Sequence, residues 1–367
     1  MTESVLGQAI AQRVRSIPGV ENLASEDTED TIDLSGARLA GSTSISLRGA
    51  VIEDIAKHRC DHYTRRPGIA PLCRAVAESL ARGGVAVDAD NGVVIAGNPS
   101  EGRYVAARTL GVDRDVFMLA PAAGDFAAGL SFAGAEPQVI DPTTPFPSAQ
   151  NALLIVSNPN PATGQMVDPD TLNRLAHWAD ETDSLVIADE IAAPLLRPEL
   201  SFQHFAALPG MADRTLTLGS FADLPGLNGW QVSWFAGPTP LATQVRDLKQ
   251  AMTICSPAPG QYAALAALGD HSADAVLQNV ERMDGLLALL DRLGLPYHRP
   301  DTTAFVVADA TRLGGGDAVV AACAEQGLRI DGGSILGDPN AIRIAAVGPR
   351  FPAGLERLAT ILPALDR

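Results

Sequence analysis

Thr215–Trp234 reads TLTLGSFADLPGLNGWQVSW. The run Thr215–Leu218 favours a strand, Gly219-Ser220-Phe221 leaves it, and a second apolar run closes at Trp234, so the stretch predicts a buried strand, a glycine-containing turn and a second strand. In an open α/β sheet such a turn lies at the carboxyl edge of the strands, where ligands bind. The side chain carried to that edge is Asp223.

The rest of the chain supplies enough apolar material for such a sheet. Its 367 residues are 46% hydrophobic and 19% charged, which fits one large domain or two unequal ones. The formal charge is −16 and the basic residues are scattered, which argues against nucleic acid or an anionic membrane as partner. Neither a basic, apolar leader nor an apolar span of about 18 residues is present, so a cytoplasmic protein is expected. Cys60, Cys73, Cys255 and Cys323 are too far apart to suggest a zinc site or disulfide frame; we expect reduced core thiols and no metal. Lys57 and Lys249 are the only lysines, and both fall on apparent surface helices.

Working outward, Ser220-Phe221-Ala222-Asp223 and Gly229-Trp230-Gln231-Val232-Ser233 resemble the lysine segment of fold-type-I (class I/II) aminotransferases, which use pyridoxal phosphate (PLP). In that family a lysine forms the Schiff base and an arginine eight residues later grips the phosphate. Asp223 and Gln231 stand at those places. The other anchors follow in family order. Tyr63, ahead of Pro67-Gly68-Ile69-Ala70-Pro71-Leu72, matches a tyrosine that reaches the neighbouring subunit's site. After the strand VVIAG, Asn98-Pro99-Ser100-Glu101 opens a helix where relatives hold the phosphate on backbone N–H groups. Pro99 removes a donor and Glu101 adds negative charge, a poor phosphate cup. Ala123 replaces the ring-stacking tyrosine, with Phe126 nearby as a substitute. In Asn158-Pro159-Asn160-Pro161-Ala162-Thr163-Gly164, Pro161 takes the place of the asparagine that bonds the ring oxygen, unless Asn160 serves after a one-residue shift. Asp189-Glu190-Ile191-Ala192 keeps the aspartate that pairs with the pyridine nitrogen and loses the tyrosine to Ala192. Arg343 matches the arginine that forks onto the substrate's α-carboxylate.

The resemblance implies an α/β chain of fold type I, divided as 1–45, 46–265 and 266–367. The first is an N-terminal segment packing with the small domain. The second is a large domain whose mostly parallel seven-stranded sheet is sandwiched by helices, and the third is a smaller α+β domain. A homodimer with shared sites is implied too. From the substitutions we expect a PLP-independent enzyme of a biosynthetic pathway, missing the catalytic lysine. It would cyclise, eliminate, decarboxylate or condense an amino-acid-derived carboxylate. Asp223 would be its general acid/base with Asp189 assisting, because paired carboxylates split their pKa values. Arg343, Tyr63, Ser220, Gln231 and Asn160 would bind substrate. No cofactor is expected, Asn98, Pro99, Ala123, Pro161 and Ala192 being degenerate cofactor positions. Two alternatives stand beside this: PLP or pyridoxamine phosphate bound noncovalently, and a non-catalytic binding or scaffold protein.

Overall fold

A computed structural model describes residues 30–36, 43–121, 126, 130, 134–221, 226–268, 273–333, 338–348 and 350–366, with residues 273–276 by backbone alone. Asp223 and Ala123 lie outside them.

The large sheet follows from strands that are apolar on both faces. β2 (Val93–Ala96), β3 (Val116–Leu119), β5 (Leu153–Ser157) and β7 (Thr215–Ser220) are buried throughout, and β6 (Leu185–Asp189) nearly so, the signature of a parallel sheet covered on both sides. With β4 (Gln138–Ile140) and β8 (Ser233–Ala236) they form seven strands in the order β2-β8-β7-β6-β5-β3-β4. β8 alone runs antiparallel to its neighbours. It begins later and ends later than the second run of the opening stretch suggested, because Asn228–Trp230 forms a short 3-10 turn. Gly219 has a packing reason: a Cβ there would lie 2.1 Å from the Trp234 ring directly opposite.

Register collects the interesting strand ends. Ser157 pairs with Asp189, Asp189 with Leu218, Ser220 with Ser233, and Ser233 with Ala96. The carboxyl ends of β2, β5, β6 and β7 therefore share one edge, the ligand edge of an open α/β sheet.

Helices cover both faces. α1 (Ile45–Ala56) is capped by Ser44, whose hydroxyl accepts the Leu47 N–H at 3.1 Å, and it leaves Lys57 just outside as its C-cap. α2 (Ala70–Arg82) buries Leu72, Cys73, Val76 and Leu80 on one stripe. α3 (Pro99–Leu110) follows β2, and α4 (Pro169–Glu181) starts with the Asp168 side chain accepting the Thr171 N–H at 2.9 Å. α5 (Thr239–Thr253) and α6 (Ala258–Ala267) follow β8.

Beyond α7 (Ala273–Leu293), β9 (Tyr297–His298), β10 (Phe305–Asp309), β12 (Asp331–Gly332) and β13 (Ala341–Ala345) form an antiparallel sheet in the order β12-β13-β10-β9. β1 (Ile32–Asp33) pairs in parallel with β11 (Leu328–Arg329), the short strand that follows α8 (Gly316–Glu325). α9 (Phe351–Leu365) closes a second core with Met283, Leu290, Ile342, Ile344 and Leu358. Among the described residues no helix is long and apolar enough to cross a membrane.

Candidate functional site

The turn from β2 into α3 shows what replaces an open phosphate cup. Asn98 caps α3, its side chain accepting the Glu101 N–H at 2.8 Å. Glu101 folds back so that Oε2 takes the Gly97 N–H, while Oε1 accepts from the Thr253 hydroxyl at 2.9 Å. Beneath it lies Lys249, 1% exposed, donating to Thr253 Oγ1 at 3.2 Å and standing 3.9 Å from Glu101 Oε1. Burial pulls the Lys249 ammonium below its ordinary value, against the opposing pull of Glu101. The expectation of a surface lysine is therefore corrected. Lys249 continues the buried stripe Ala242, Val245 of α5, a spacing of three and four that reads as one helix face. Lys57 is exposed and paired with Glu53.

Asp189 ends β6 at 3% exposure. Its Oδ2 receives Arg103 Nε from α3 at 2.8 Å and its Oδ1 the Ile191 N–H at 3.2 Å. Arg103 also stacks over the buried Phe126 ring, 5.5 Å from guanidinium carbon to centroid. The retained aspartate thus carries an in-chain cation that the family resemblance did not indicate. Its neighbour Glu190 turns the other way: Oε1 accepts the Phe205 N–H at 2.9 Å and Oε2 meets His204 Nδ1. The hydrogen bond and charge of Glu190 together push the His204 pKa up, outweighing its burial.

The remaining positions at this edge are mostly structural. Asn160 donates to the Pro121 carbonyl at 2.9 Å and accepts the Ala162 N–H at 2.8 Å, pinning the β3 and β5 loops together. Pro161 and Ala192 are half-buried. Ser220 is buried, its hydroxyl 3.5 Å from the Val232 carbonyl. Gln231 is exposed, left-handed at φ 53°, and bonds the Asn228 carbonyl at 2.8 Å. Tyr63 is 80% exposed.

Arg343 lies on β13 directly opposite Asp331 of β12. Its Nε and Nη2 both reach Asp331 Oδ2, at 2.9 and 2.8 Å, and that oxygen also accepts the Gly36 N–H at 2.6 Å. The Phe305 ring lies 5.3 Å from the guanidinium carbon. The half-buried arginine therefore already grips a carboxylate, one supplied by the chain.

These groups decide the fit of the cofactor that the fold family uses. Position 223 offers no amine, Gln231 offers no cation, and Glu101 occupies the backbone donor of the cup. A phosphate would meet Glu101 at close range, where like charges repel strongly. In this arrangement the residues do not fit it. Among the described residues no cluster of three or more histidine, cysteine or acidic side chains is arranged to hold a metal. Cys73 and Cys323 are buried and pushed up to about 11 by burial, while Cys60 and Cys255 are half-buried rather than in the core.

Comparison with known proteins fixes the family. The model described as Aminotransferase class I and II matches residues 29–360. The chain is 31% identical over 275 residues to a probable N-succinyldiaminopimelate aminotransferase of Mycobacterium tuberculosis, covering 69% of this chain and 68% of that one. It is 26% identical over 337 residues to an aspartate aminotransferase of Musicola paradisiaca, covering 85% and 84%. The solved N-succinyldiaminopimelate aminotransferase of M. tuberculosis superposes with a TM-score of 0.81 at 24% identity, over 96% of this chain and 95% of that one. The Thermus thermophilus aspartate aminotransferase with maleate also gives 0.81, at 21% identity over 99% and 97%.

Three expectations are corrected by these findings. A PLP-independent enzyme, a missing catalytic lysine and the absence of a cofactor all rested on single positions in a preserved frame. The relatives matched along that frame are named aminotransferases, and one buried lysine does lie at the cofactor end. The fold is that of fold type I, and the chain belongs to the class I and II aminotransferase family.

Proposed function

We propose that the protein is an aminotransferase-type enzyme acting on a small amino-acid-derived substrate with a carboxylate, and that any PLP or pyridoxamine phosphate it takes up is held noncovalently and only with Glu101 turned away from the Gly97 N–H it now occupies. The observation that carries this reading is Arg343, which holds the family's carboxylate-clamp position and already binds a carboxylate through two N–H groups. A substrate carboxylate would displace Asp331, and the Phe305 ring would keep the guanidinium in place. Asp189, paired with Arg103 at 2.8 Å, is retained at the strand end. The names of the relatives support the reaction class.

A homodimer is part of the proposal. Ile45, Ile52 and Ile55 repeat along one face of α1, and they and Tyr63 are 48–89% exposed. A second copy would cover that face and bring Tyr63 against its neighbour. A cytoplasmic location belongs to the same reading.

One observation favours a second reading, binding without turnover: the two charged positions that match the family, Asp189 and Arg343, are each paired within the chain. Calorimetric titration of purified protein with PLP, pyridoxamine phosphate and a panel of amino and 2-oxo acids separates the two. Cofactor binding together with amino-group exchange supports the enzyme. Small-molecule binding without exchange supports the second reading, and no cofactor binding sinks the first.

A further inference from the structure

The Arg343–Asp331 pair stands on an otherwise apolar face of the smaller sheet. Register sets Val307, Arg343 and Asp331 side by side across β10, β13 and β12, with Phe305 beside Ala345 on the same face two residues along. That face packs Phe305 and Ala345 against Leu195 and Ala192, in the turn that follows β6. The clamp therefore meets the ligand edge of the large sheet. The side chains of Arg343 and Asp331 are 14% and 13% exposed, and the neighbours on this face offer neither of them another charge.

Charge balance limits what can open such a pair. A ligand with a carboxylate alone would bring a second negative charge to one guanidinium and leave Asp331 facing it, and like charges at that range in a shielded place repel. A ligand that also carries an ammonium on the carbon next to its carboxylate removes the conflict. Its carboxylate takes the Arg343 fork while its ammonium faces the freed Asp331, so each charge is matched before and after the exchange. We infer that Arg343 and Asp331 form an exchangeable pair that admits zwitterions: the site takes α-amino acids in preference to the corresponding 2-oxo acids, and Asp331 sets that preference. This rests on the carboxylate reading of Arg343 above and extends it by assigning the ligand's cationic group to Asp331.

The test is calorimetry on purified protein with no cofactor added, using alanine, leucine, phenylalanine and glutamate beside their 2-oxo acids. Wild type, Asp331→Asn and Arg343→Ala are compared, with melting curves to show that each variant folds. Wild type should bind the amino acid of at least one pair roughly 10- to 100-fold more tightly than its 2-oxo acid, the range of one charge-assisted contact. Asp331→Asn should abolish that preference by tightening the 2-oxo acid and weakening the amino acid, and Arg343→Ala should weaken both. Equal binding of the two forms by wild type, a tighter 2-oxo acid, or a preference that survives Asp331→Asn would overturn the inference while leaving the carboxylate reading in place. Binding of neither form by wild type or Asp331→Asn would remove both.

Discussion

The helix-start end of the site and the strand end of the smaller sheet solve the same problem with opposite placements. At the α3 start the cation, Lys249, is enclosed and its carboxylate partner stays out of hydrogen-bond reach. At β13 the cation, Arg343, is only half-buried and grips Asp331 through two N–H groups. A fork on a rigid planar group tolerates exposure to solvent, whereas a point charge on a flexible stem is held in place by burial. The difference teaches that a cation can be kept in place by enclosure at one end and by a two-pronged grip on a carboxylate at the other.

The largest effect lies between the two ends. Arg103→Ala would leave Asp189 buried without its partner, and should cost about 3–5 kcal/mol in urea denaturation. A cost near that of an exposed pair would break the view that these charges are internally compensated. Arg343→Ala should instead spare stability and reduce carboxylate-ligand affinity by roughly 10- to 100-fold, read by calorimetry with an amino acid or 2-oxo acid ligand. An unchanged affinity would remove Arg343 from the site.

A pH scan sharpens the contrast further. His204 has a folded pKa raised above its ordinary 6.5 by Glu190, so its contribution is fully present below that value and lost as pH rises through the folded pKa. Thermal midpoints should fall as pH rises from 6.5 through the raised folded pKa, and His204→Asn should flatten that slope. Smallest of all, Lys249→Met should change stability by no more than about 1 kcal/mol in either direction, since an enclosed ammonium with a weak partner contributes little. A large loss would show Lys249 to be a structural anchor.

Much of the fold was legible because its signals are local. Leu153–Ser157 is apolar on both faces, and the Gly-Ser-Phe turn after Leu218 marks a strand end. The internal partners were not legible, because each depends on register or packing. Asp331 opposes Arg343 only through the pairing of β12 with β13, and Arg103 reaches Asp189 across 86 residues of chain. Lys249 is a different case: the spacing of Ala242, Val245 and Lys249 was visible, and taking lysine as a surface residue hid it. Glu101 was readable as harmful to a phosphate cup, but not as the group occupying it.

The most direct test of the account is borohydride reduction of wild-type protein saturated with PLP, followed by peptide mass spectrometry. Noncovalent binding predicts measurable PLP affinity with no reduced adduct on Lys57 or Lys249. An adduct on Lys249 would contradict it, making that residue the attachment lysine instead of a buried partner of Glu101.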